Sequence, residues 1–67
     1  MRLKQSTKNA HDFSHAFNEV IERKGLTKKQ VARRIGISVP HVERWQNGDG
    51  QPHPYFRELI LEQLETL

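Results

Sequence analysis

Apolar residues fall into four short clusters with helical spacing, separated by breaks that carry glycine or proline. Phe13, Phe17, Val20 and Ile21 come at steps of four, three and one, which makes one stripe of a 3.6-residue period. Asp12 or Ser14 can cap this first helix, Lys24 ends it, and Gly25 suits the left-handed position after its end. A second helix starts after Thr27. Thr27-Lys28-Lys29-Gln30 has the capping-box form, in which the hydroxyl reaches the amide of residue 30 and the glutamine reaches back. Val31, Ala32 and Ile35 form its apolar face, and Gly36 stops it.

Ser38 is then the N-cap of a third helix, with Val39 and Pro40 in the first turn, where proline costs no intrahelical hydrogen bond. Val42 and Trp45 face inward at i and i+3, and Asn47-Gly48 closes the helix. The stretch Asp49-Gly50-Gln51-Pro52-His53-Pro54 is a loop dense in turn residues. The last helix runs from about Tyr55 to Leu67, with Phe56, Leu59, Ile60, Leu64 and Leu67 as its core face. Leu61 leaves that face, either as a single exposed leucine or, with Leu64 and Leu67, as a dimer contact. No alternating run of strand-forming residues occurs. The pattern predicts an all-α domain, a bundle of four short helices over residues 12–67, behind a polar arm at 1–11.

Composition narrows the function. A chain of 67 residues has room for one small domain, and with no cysteine it has no disulfide, thiolate metal site or cysteine nucleophile. Its apolar fraction of 34% is lean, so stability calls for efficient helix packing or self-association. No apolar run approaches the roughly 18 residues of a membrane span. Residues 1–10 lack the apolar stretch of a secretory signal, so a cytoplasmic location is expected. There is no glycine-rich phosphate loop after a strand, no nucleophile elbow and no clustered carboxylate pair, and so small a core offers little pocket volume. An enzyme is not expected, nor a cofactor. His11 and His15 stand at i and i+4, a spacing that can share a metal, but no third ligand is near and no metal site is expected.

Charge placement says more than the net +3. From Arg23 to Arg44 there are seven cations and a single acid, Glu43; from Tyr55 onward Arg57 faces Glu58, Glu62 and Glu65. The middle of the chain attracts polyanions and the last helix does not. Read alone, such a cluster is also the pattern of a solvated basic face.

The segment Lys28 to Asn47, KKQVARRIGISVPHVERWQN, carries the strongest signal. Alanine stands at its fifth place, where a second helix crosses closely, and glycine at its ninth, where the turn needs positive φ. Apolar residues stand at the fourth, eighth, tenth, fifteenth and eighteenth places. This is the helix-turn-helix pattern. Val42 and Trp45 point inward, which leaves Val39, Pro40, His41, Glu43 and Arg44 outside or on the flanks. Arg44 can donate two hydrogen bonds to a guanine edge, and Val39 and Pro40 can pack on a thymine methyl. Glu43 can accept from a cytosine amino group or orient Arg44, and His41 can serve phosphate or base. Lys28, Lys29, Arg33 and Arg34 supply sequence-independent attraction to phosphate.

Together with VERWQNG, the Pro52/Pro54 loop and the leucine-rich last helix, this segment resembles the Cro/CI-type (XRE-like) helix-turn-helix family of phage repressors and bacterial regulators, over about four-fifths of the chain. The resemblance implies a lambda-repressor-like fold and a transcriptional regulator that binds double-stranded DNA as a homodimer on a palindromic operator. It implies base-reading positions at Ser38, Val39, Pro40 and Arg44, and phosphate contacts at Lys28 and Asn47. Many members join an Arg on the first helix to a Glu before the Asn-Gly. Ile21 and Gln46 stand there instead, and apolar packing is expected in place of the ion pair. Helix-turn-helix folds also serve as antitoxins or protein-interaction modules, which would favour an apolar patch on the outer face of the third helix. The arm, with Arg2, Lys4 and Lys8, either follows a DNA groove or is a plain tail.

Overall fold

In the computed structural model, residues 10–67 are described. They form four helices: α1 (Ala10–Lys24), α2 (Lys28–Ile35), α3 (Val39–Gln46) and α4 (Pro54–Glu65). The expected polar arm lies outside the described residues, apart from the first turn of α1.

The start and stop chemistry acts as the sequence implies. Thr27 Oγ1 accepts from the Gln30 amide at 3.0 Å, and Gln30 Oε1 accepts from the Thr27 amide at 2.8 Å. Gly36 ends α2 at φ 87°, and both its amide and that of Ile37 donate to the Ala32 carbonyl, at 2.8 and 3.0 Å. Ser38 caps α3 by accepting from the His41 amide at 3.3 Å. At the head of α4, where the sequence marked only a loop, His53 acts as the cap, its Nδ1 accepting from the Tyr55 amide at 3.1 Å.

The core is drawn mainly from α1, α2 and α3. Phe13, Phe17, Val20, Ile21, Val31, Ala32, Val42, Trp45 and Leu64 are buried. Phe13 and Phe17 stack with centroids 5.1 Å apart, and Trp45 meets both rings edge-on at 5.6 and 5.7 Å. This T-shaped cluster joins α1 to the underside of α3 and places Trp45 in the core rather than against DNA bases.

Three expectations need correction. Helix α1 already includes Ala10 and His11, ahead of both cap candidates. Asp12 lies in its first turn, where it faces the positive end of the helix dipole, and Ser14 is buried. The core face of α4 is also turned from the expected one. Phe56, Leu59 and Leu67 are exposed, whereas Leu64 is buried, and Ile60 and Leu61 pack against the core. Arg57 is buried on the same side, only 7% exposed, and its Nη1 donates to Gln51 Oε1 at 2.6 Å. Leu64 is therefore not available for a surface contact, and Leu61 is not a lone exposed leucine. The third correction concerns the end of α3 at Gln46, where polar side chains of α1 add hydrogen bonds beside the apolar packing.

Candidate nucleic-acid interface

Two polar side chains of α1 fix the far end of α3. Ser14 Oγ and Asn18 Nδ2 both donate to the Gln46 carbonyl, each at 2.9 Å. A carbonyl in the last turn of a helix has no partner within the helix, so these bonds satisfy it. Ile21 is in the core as expected, but hydrogen bonds from Ser14 and Asn18 hold the Gln46 end, where apolar packing was expected. The sequence carried a faint signal for this: two small polar residues, i and i+4, border the apolar stripe of α1.

With Val42 and Trp45 buried below, α3 presents its other side to solvent. Ser38, Pro40, His41, Glu43 and Arg44 are exposed, and Val39 is half-buried against the core. The His41 ring meets Trp45 edge-on at 4.9 Å, so the core supports it from beneath. Lys28 Nζ donates to Glu43 Oε2 at 3.1 Å across the α2–α3 junction, with both side chains about half exposed. Glu43 thus pairs with Lys28. The alternative in which it orients Arg44 has no such contact. Arg44 has no ion pair or side-chain hydrogen bond among the described residues. Asn47 is exposed at the C-cap, its amide donating to the Glu43 carbonyl at 3.0 Å.

The basic cluster is divided. Lys28 and Arg44 belong to the α2–α3 face. Lys29, Arg33 and Arg34 line an open groove of about 450 Å³ with Leu67, beside the end of α4. Arg34 Nη2 donates to Thr66 Oγ1 at 2.7 Å, which seats it on α4. Arg23 pairs with Glu19 at 3.1 Å and with Glu65, and Lys24 Nζ donates to the Glu65 carbonyl at 2.9 Å. The hydrogen bond donated by Arg23 holds the Glu65 carboxyl below the usual carboxylate range, and the bonds that Arg23 donates to Glu65 and then to Glu19 raise its guanidinium. Four of the seven cations therefore tie helices together: Arg23, Lys24 and Arg34 engage the end of α4, and Lys28 bridges α2 and α3.

Among the described residues no cluster of three or more His, Asp or Glu could hold a metal ion, and the His11 side chain lies outside them. No helix there is long and apolar enough to cross a membrane.

A family model described as "Helix-turn-helix" matches residues 18–65. That span runs from the third turn of α1 to the end of α4 and contains the whole α2–turn–α3 unit. Searches of curated proteins and of solved structures give no match.

Proposed function

From the chain's membership of the Cro/CI-type (XRE-like) helix-turn-helix family, whose domains bind DNA, we propose that this protein is a sequence-specific transcriptional regulator, a repressor that sets α3 in the major groove of double-stranded DNA. The observation that carries this reading is the composition of the outer face of α3. Its large apolar residues, Val42 and Trp45, are buried beneath it. What it exposes is Ser38, Pro40, His41, Glu43 and Arg44, the last without an ion pair among the described residues.

An antitoxin or protein-interaction module would carry its apolar patch there. Among the described residues the exposed large apolar side chains stand on or just after α4 instead. In this reading Arg44 takes a guanine edge, Ser38, Val39, Pro40 and His41 line the groove, and Lys28 and Asn47 touch phosphate. Lys29, Arg33 and Arg34, set toward α4, add long-range attraction rather than direct contact. Glu43 holds Lys28 until a phosphate replaces it, since an exposed ion pair contributes only ~0–1 kcal/mol. The protein acts in the bacterial cytosol as a homodimer on a palindromic operator, with half-sites about 34 Å apart.

Selection of bound duplexes from a random pool tests this directly. The expected product is an inverted repeat. On the selected site Arg44→Ala costs about 1–3 kcal/mol and relaxes one base pair. Lys28→Ala weakens all sequences alike and flattens the salt slope by about one. Equal loss on selected and random DNA for Arg44→Ala rules out its base-reading role. A pool that yields no enriched sequence rules out the regulator.

A further inference from the structure

The exposed large apolar side chains of the described residues are all on α4 or immediately after it: Tyr55 at 76%, Phe56 at 49%, Leu59 at 48% and Leu67 at 42%. Scattered exposed apolar residues are ordinary. These are not scattered. Phe56, Leu59 and Gln63 recur at helical spacing on α4 and form one stripe, distinct from the inward side that holds Arg57 and Leu64, and the exposed Leu67 follows just past the helix end. The head of the stripe is held in place, because the His53 and Tyr55 rings pack edge-on against Phe56 at 6.2 and 5.3 Å.

The two flanks of the stripe carry opposite charge. Toward α1 stand Glu58 and Glu62, which border a shallow groove with Leu61 and Glu65. Toward α2, Leu67 shares its groove with Lys29 and Arg33. None of Glu58, Glu62, Lys29 and Arg33 has an ion-pair partner among the described residues. The surface therefore reads acidic, apolar, basic in order across α4.

We propose that this stripe is the docking surface for a second copy of the chain, with the two-fold axis running along α4. That axis lays stripe on stripe and sets each copy's acidic flank against the other's basic flank. An axis across α4 would oppose acid to acid and base to base. A standard interface buries roughly 800 Å² per partner, so the charged flanks take part beside these few side chains, and a dimer in the micromolar range is expected. The proposal deepens the regulator reading, because it names the face through which the expected homodimer forms.

The test uses the full chain without DNA, by sedimentation equilibrium over a micromolar-to-millimolar series, with folding followed by circular dichroism. A reversible monomer–dimer equilibrium is expected. Leu59→Glu, on an exposed position, raises the dissociation constant at least about tenfold while the chain stays helical. Glu62→Lys and Lys29→Glu each weaken the dimer, and the two together restore it. Because the chain has no cysteine, single introduced thiols report the axis: Phe56→Cys and Gln63→Cys each cross-link to their own copy. A chain that is monomeric throughout, a dimer indifferent to Leu59→Glu, or cross-linking at Gln63→Cys without Phe56→Cys overturns the proposal. Failure of the regulator reading shows separately. A chain that dimerises in this way and selects no DNA sustains the interface, and a monomer that selects a single half-site overturns it.

Discussion

Helices α3 and α4 use their apolar residues in opposite ways. In α3, eight residues long, Val42 and Trp45 are both buried, and a serine caps its start. In α4, twelve residues long, Leu64 is the one fully buried apolar side chain, an arginine shares the inward side, and Phe56 and Leu59 face out. Helix α3 has as much apolar surface as its seat can take, so its orientation is fixed by burial. Helix α4 has more than one side's worth, so its pattern alone leaves open which side turns inward. A short helix with few apolar residues is thus the better specified of the two. That suits a helix whose angle to a ligand matters.

The sharpest way to break this comparison is to truncate one aromatic on each helix. Trp45→Ala should cost about 3–5 kcal/mol, enough to unfold much of so small a domain in a denaturant titration. Phe56→Ser should stay within about 0.5 kcal/mol in dilute solution. Equal losses would mean that α4 is anchored by the stripe rather than by Leu64 and Arg57.

Gly36→Ala probes the turn that sets α3 against α2. A β-carbon there would meet nothing within 4 Å, so its expected cost of about 1–2 kcal/mol comes from φ alone. A loss well beyond that would reveal a steric conflict the turn does not show. Ser14→Ala removes one of two donors to the Gln46 carbonyl and should cost about 0.5–1.5 kcal/mol. Its more telling readout is chemical-shift change confined to the last turn of α3. A change spread over α4 instead would deny Ser14 its positioning role.

The smallest effect concerns the tail of α4. Glu65 titrates below the usual carboxylate range because of Arg23, so its contribution is present above the unfolded carboxylate pKa and fades as pH falls through the lowered folded value. The pair is on the surface, so the effect is slight. Melting of Glu65→Gln should differ from the parent at neutral pH and converge with it in acid. A difference that persisted in acid would point to packing rather than charge.

Much of the helix-turn-helix was legible because its determinants are local. Thr27 and Gln30, Gly36, and Ser38 with His41 act within five residues of chain, and each makes the contact its spacing implies. Val42 and Trp45 were equally readable, since a short amphipathic helix has one apolar side to bury. The Lys28–Glu43 pair was not legible, because it depends on how α2 and α3 cross. Nor was the seating of Arg34 on Thr66, which joins residues far apart in the chain.

The sequence by itself determined where α2 and α3 start and stop, that four helices form among the described residues, and that α3 turns Val42 and Trp45 inward. Only the tertiary structure decided which side of α4 is buried, which cations remain open on the α2–α3 face, and which groups of α1 hold the end of α3. The reason is physical. Caps and glycine turns are settled by a few neighbouring torsions and hydrogen bonds. The side an over-apolar helix buries, and the partner a long cation finds, depend on competition among surfaces that meet only when the chain has folded.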